Sequence, residues 1–266
     1  MHRRSISVVV LAACGSPAPS VFDAPAHTDA PSHRDGAADA TSFDAPEGAD
    51  LACLGQPAPI GAPDPLPLDG KVFVIDHYQI TPLAGATMVT HRRSDDAVIA
   101  TSTTTAADGT FAMSAPTGGT ALDAYFTITA AGEVPVRIDP GDPITAGYFG
   151  LALVAPADEI MRWYADAGAT YTADAATLIT IAVDCDHASI AGATFTVAPQ
   201  APLVYYATDH WDPAASSSDK GYALVTHSNA TEAITAASHG HSFPAHAVVT
   251  PAATLTLAVA SPYDHP

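Results

Sequence analysis

Leu83-Ala84-Gly85-Ala86-Thr87 returns later in the chain as Ile190-Ala191-Gly192-Ala193-Thr194. Each copy follows an apolar run that ends in Asp: Lys71-Val72-Phe73-Val74-Ile75-Asp76 in the first case, Thr180-Ile181-Ala182-Val183-Asp184 in the second. Each is followed by a turn containing Asp and Gly and then an aromatic: Asp108-Gly109-Thr110-Phe111, and Asp219-Lys220-Gly221-Tyr222. Alternating apolar residues mark strands half-buried on one face. The two passages therefore predict two copies of one β module.

Working outward, the first module is expected over 66–140. Strands are expected at 70–76, 86–90 and 98–104. Asp108-Gly109 reads as a hairpin turn, continued by 111–113. Strands at 125–129 and 134–138 complete the set, and Gly85 falls where backbone must turn or approach closely. Short strands at regular spacing indicate an antiparallel sandwich. The second module is expected over 177–261, with strands at 178–184, 195–197, 203–207, 222–226, 232–237, 247–250 and 254–259. Residues 211–219 read as a loop. The predicted fold is thus mainly β: two antiparallel sandwiches.

Between them, 141–176 reads as a linker with one short helix. Pro156 suits a first turn, and Asp158 and Glu159 suit the positive helix end. Ile160, Trp163, Tyr164 and Ala167 fall on one stripe, and Gly168 suits the C-terminal cap. Trp163 and Tyr164 are read as packing residues, the other use being a ligand platform.

The pattern Gly70, Val72, Ile75-Asp76, Thr81-Pro82-Leu83-Ala84-Gly85-Ala86-Thr87, Thr105 and Asp108-Gly109-Thr110-Phe111 resembles the carboxypeptidase regulatory-like domain. That resemblance implies a transthyretin-like (prealbumin-like) Greek-key sandwich of the carbohydrate-binding-like group, non-catalytic and found in secreted and envelope proteins. It covers most of the first module and is weaker in the second, where Asp219-Lys220-Gly221 replaces the tight Asp-Gly turn.

The N-terminus carries a different message. His2, Arg3 and Arg4 precede the apolar run 6–13, which is too short to span a bilayer and has the layout of an export signal. Leu11-Ala12-Ala13-Cys14-Gly15 resembles the lipobox of bacterial lipoproteins. The resemblance implies removal of 1–13 and lipid attachment at Cys14, with several acyl chains giving a stable membrane anchor. Gly15-Ser16 lacks an acidic sorting residue, which points to the outer membrane. Residues 14–65 show no apolar periodicity and repeat Asp-Ala-Pro at Asp23, Asp29 and Asp44. Pro and mutually repelling Asp predict an extended, disordered tether, with a reach on the order of 100 Å.

The formal net charge of −19 over 266 residues argues against a nucleic-acid partner, since phosphate contacts need Lys and Arg. Beyond Cys14, Cys53 and Cys185 remain as a pair that an oxidising compartment can bond; two free thiols are the alternative. His239-Gly240-His241 with His246, His210 and His187 is the richest polar cluster, and 239 and 241 would share a strand face suited to a metal. Gly240 and the flanking Ser residues instead suggest a hairpin loop, so His239, His241 and His246 are weak ligand candidates. His27 and His33 sit in the tether with nothing to fix their geometry. An intradiol dioxygenase, which uses a similar sandwich, needs two Tyr and two His ligands near an Arg-Pro element; His91-Arg92-Arg93 leads into Ser94-Asp95-Asp96 instead. Neither Gly-x-Ser-x-Gly nor His-Glu-x-x-His occurs. The expectation is a non-enzymatic envelope lipoprotein without a cofactor, binding a glycan or an envelope protein, or spacing. A metal-dependent enzyme or metal-binding protein on one sandwich is the alternative.

Overall fold

The computed structural model describes residues 49–77, 79–146, 148–198, 204–207, 211–212, 217, 220–228 and 231–264. Cys14, the Asp-Ala-Pro repeats, His27, His33 and His210 lie outside them.

The first module contains β1 (Leu66–Asp76), β2 (Gln79–Pro82), β3 (Thr87–Arg92), β4 (Val98–Thr101), β5 (Thr110–Ala115), β6 (Ala124–Thr129), β7 (Val136–Asp139) and β8 (Tyr148–Val154). Helix α1 (Ala157–Asp166) follows. The second module contains β9 (Ala176–Ala182), β10 (Thr194–Ala198), β11 (Val204–Ala207), β12 (Trp211–Asp212), β13 (Tyr222–Ser228), β14 (Thr231–Ser238), β15 (His241–Ser242), β16 (His246–Val249) and β17 (Leu255–Ala260).

The two modules share one pairing plan. In the first, β1 pairs antiparallel with β5 and parallel with β8, while β3, β6 and β7 form the facing sheet. In the second, β9 pairs antiparallel with β13 and parallel with β17, while β10, β14 and β16 form the facing sheet. The equivalence reaches single atoms. Val72 N–H donates to the Gly109 carbonyl, and Leu83 N–H donates to the Val72 carbonyl, each at 2.9 Å. Ala182, Gly221 and Ile190 repeat both bonds, again at 2.9 Å. A Cβ on Gly109 would stand 2.4 Å from the Val72 carbonyl oxygen, and one on Gly221 would stand 2.8 Å from that of Ile190. Both glycines also have positive φ. The Gly of the turn before the aromatic therefore closes the same three-segment crossing twice.

The sandwiches do not stand apart with a helix between them. The first module's β7 and the second module's β17 pair in parallel, so one nine-stranded sheet runs β12-β11-β13-β9-β17-β7-β6-β3-β4 through both. Successive side chains of a strand point to opposite faces. Leu255 and Leu257 of β17 enter the first core, with Phe126, Ile128, Val136 and Ile138. Ala258 and Ala260 enter the second, with Ile190, Phe195, Ile234 and Val248. The two partner sheets thus cover opposite faces of the shared one. A strand buried on both faces tolerates an apolar run without polar alternation, as in Leu255-Thr256-Leu257-Ala258-Val259-Ala260.

Helix α1 is a cover rather than a connector. Ile160, Trp163, Tyr164 and Ala167 are buried in the first core together with Leu224 of β13 and Leu255 and Leu257 of β17. The Tyr164 and Thr177 hydroxyls lie 3.0 Å apart, tying the helix to β9. The helix ends as Gly168 suggests: Ala169 N–H reaches the Tyr164 carbonyl and Gly168 N–H that of Ala165, a Schellman closure with Gly168 at φ 71°.

Three boundaries differ from the sequence reading. The expected linker 141–176 contains β8, which pairs with β1 and completes the first module. Asp108-Gly109 does not join paired strands: β4 pairs with β3 and β5 with β1, so the turn crosses from one sheet to the other. Within the expected loop 211–219, Trp211–Asp212 pairs back onto β11.

The tether reading fails over its last part. Residues 49–65 form a strap across both modules. Leu51 and Leu54 pack against the second core. Gly55 N–H donates to the Pro262 carbonyl, Asp264 N–H to that of Gln56, and Ala121 N–H to that of Ile60. These are single bonds and isolated bridges, which need no apolar period and leave none in the sequence.

Candidate functional site at the module seam

Strand β7 alternates across the seam. Val136 and Ile138 point into the first core. Arg137 and Asp139 therefore point to the other face, toward the second module's partner sheet. Asp139 is fully buried. His246 of β16 shares a face with Val248, and its Nε2 meets Asp139 Oδ1 at 3.0 Å. Arg93, just after β3, donates from Nη1 to Asp139 Oδ2 at 2.5 Å and from Nε to Asp123 Oδ1 at 2.7 Å. Its Nη2 donates to the Ala124 carbonyl, and Gly141 N–H donates to Asp139 Oδ1 at 3.3 Å.

Burial alone would push the Asp139 carboxyl up. The His246 hydrogen bond and the charge and hydrogen bonding of Arg93 outweigh it and hold the group well below the usual carboxylate range. Burial likewise works against the Arg93 charge, and Asp139 and Asp123 overcome it, so its pKa is raised. Beside this node the Arg137 guanidinium lies 3.4 Å from the centre of the Tyr125 ring, which also stacks on His91 at 4.8 Å. The Tyr125 hydroxyl donates to Asp96 Oδ1.

Two further buried acids act as holders. Glu159 of α1 is fully buried; it accepts from Trp163 Nε1 at 3.0 Å, from His77 N–H at 2.8 Å and from Arg162. It thereby fixes the helix to the end of β1. Asp184, after β9, accepts from the Asp186 and Ala188 N–H groups through Oδ1 and from Asp50 N–H through Oδ2. Cys185 N–H donates to the Asp50 carbonyl at 2.7 Å, and Cys53 and Cys185 form a disulfide with Cα atoms 5.8 Å apart.

The candidate histidines part company. His239 and Gly240, at φ 53° and 79°, are the central residues of a two-residue turn between β14 and β15. His239 Nδ1 meets Ser238 Oγ, and His241 is exposed on β15. His246 is buried and turned to Asp139. His187 lies in the loop after β9, with φ 61°. Among the described residues, no group of three or more His, Cys, Asp or Glu is disposed to hold a metal. Arg93 serves the seam, and His91 stacks on Tyr125.

Sequence reading missed Asp139 and Arg137, and took Glu159 only as an acid at the helix start. A signal existed for the first two: Val134-Pro135-Val136-Arg137-Ile138-Asp139 places two charges in an otherwise apolar strand. Such charges mark either a solvated face or a covered one, and the period alone does not separate them.

No protein-family model matches the chain, and no curated protein matches it. Among solved structures it is similar to the shaft pilin SpaA of Lactobacillus rhamnosus GG, at 10% identity and TM-score 0.24 over 76% of this chain and 99% of that one. It is also similar to GBS52, the minor pilin of Streptococcus agalactiae, at 12% identity and TM-score 0.24 over 76% and 98%. The Bacillus anthracis TIE protein is similar at 10% identity and TM-score 0.25, over 74% of this chain and 34% of that one.

Proposed function

We propose that the chain is a non-enzymatic lipoprotein of the cell envelope, anchored in the outer membrane through Cys14, whose twin sandwiches hold or space an envelope protein partner. The observation that carries this reading is the unity of the folded body: one sheet runs through both modules, a strap crosses them, and a disulfide closes the strap. Three of its buried acids, Asp139, Glu159 and Asp184, are each engaged by structural donors rather than aimed at a substrate. The lipobox-like run at 11–15 supports the anchor, and the twofold Ala-Gly-Ala-Thr element supports kinship with carboxypeptidase regulatory-like modules. Among the described residues the exposed large hydrophobics are aliphatic or Met: Ile60, Ile80, Val98, Met161 and Val249. Side chains of this kind suit contact with a protein partner, and a glycan is the second reading.

Mass analysis of the N-terminal peptide of native protein from membranes should give an acylated Cys14. An unprocessed Met1 without fatty acid sinks the anchor. Crosslinking in cells should capture an envelope protein; a positive glycan array with no crosslinked partner reverses the choice of ligand.

A further inference from the structure

The Cys53–Cys185 bond encloses a sequence separation of 132 residues. All of β1 to β8, helix α1 and β9 lie inside that loop. Any covalent path from the N-terminal segment to the chain beyond Cys185 can therefore pass through the disulfide without passing through the first module. The surroundings suit this route. Asp50 is bonded on both sides of the junction, by its N–H to Asp184 Oδ2 and by its carbonyl to Cys185 N–H. Cys53 is 9% exposed, which restricts access by a reductant. Cys185 follows β9, whose neighbours are β13 on one side and β17 on the other, so a pull arriving there is spread over paired strands.

We propose that this disulfide is a mechanical shunt: covalent tension between the N-terminal segment and the second module passes from Cys53 to Cys185 and bypasses the backbone of the first module. This rests on the anchored reading above, because only a tethered N-terminus delivers such a pull. Under load, the backbone between the two cysteines is spared, and strain in the second module reaches the first only through the β7–β17 pairing and the contacts along it.

Single-molecule stretching of the full chain, with handles at its two ends, tests the idea. Oxidised molecules should release a contour about 450 Å shorter than reduced ones, since 132 residues at roughly 3.4 Å each stay enclosed. Reductant added while the second module is held unfolded, which exposes the bond, should restore the missing length in the same molecule. That design avoids depending on whether the Cys53→Ser and Cys185→Ser double variant folds; if it does, it should match the reduced chain. Equal contour in both redox states overturns the shunt. The acylation test on Cys14 is read separately, so an unanchored chain with a length difference disproves the tether while leaving the load path intact.

Discussion

Asp139 loses its water when the two modules close on it, and three donors replace what water supplied. Asn at this position keeps one acceptor oxygen but loses the charge and turns an NH2 donor toward Arg93 or His246 inside the seam. Asp139→Asn should therefore cost about 3–5 kcal/mol, read by urea unfolding at neutral pH. The pH dependence has a definite sign. The folded group titrates below its unfolded value, so its contribution is present above about pH 4 and is lost as pH falls toward the depressed folded value. The stability gap between wild type and variant should narrow from about pH 5 downward; a gap unchanged at pH 3 would mean the carboxylate is not held by its partners. Gly109 and Gly221 support a second test at this scale. Each combines positive φ with a Cβ position within 2.8 Å of a carbonyl oxygen. Gly109→Ala and Gly221→Ala should each cost about 2 kcal/mol or more, combining left-handed strain with a backbone clash. Gly132→Ala, with positive φ but open surroundings, should cost about 1–2 kcal/mol from the strain alone. Equal losses at all three sites in urea titrations would remove the argument that the repeated glycines are there for the crossing.

Helix α1 makes its contribution through one face. Trp163 is 4% exposed, donates to buried Glu159 and meets Trp211 edge-on at 6.4 Å. Trp163→Ala should cost about 3–5 kcal/mol and raise binding of a hydrophobic dye, because it opens the face of the shared sheet that the helix covers. Met161→Ala, on the exposed side, should stay within about 0.5 kcal/mol. The helix's stripe and cap were legible because the spacing of Ile160, Trp163, Tyr164 and Ala167 repeats with the turn of a helix. What the stripe covers was not, since period reports a buried face and never its partner. The same limit explains the strands. Alternation at Lys71-Val72-Phe73-Val74 announced β1, and the Ala-Gly-Ala-Thr repeat announced duplication. Pairing of β7 with β17 left a weaker trace: the run 255–260, apolar but for Thr256, and the two charges of β7, each open to a second meaning. The strap left none, because single hydrogen bonds and one disulfide impose no period on 49–65.

Two sandwiches that share a sheet should not melt apart. Unfolding the second module alone would strip β17 from β7, expose Val136 and Ile138 along a new edge, and take Leu255 and Leu257 out of the first core. It would also leave Asp139 without His246. Unfolding the first alone would uncover the β9, β13 and β17 face that α1 protects. Either partial state loses contacts on both sides of the seam, so its free energy rises toward that of full unfolding. Calorimetry of the oxidised protein should show one transition whose calorimetric and van't Hoff enthalpies agree. Reducing the disulfide frees a loop of sequence separation 132 in the unfolded chain, worth about 5 kcal/mol by the chain-entropy relation. For a body of this size that corresponds to a fall in Tm of about 10–20 °C. The transition should move and stay single, because the shared sheet and not the bond couples the modules. Two resolved transitions in the oxidised protein would show that the β7–β17 pairing does not bind the halves into one cooperative unit; two appearing only after reduction would assign that coupling to the disulfide and strap instead.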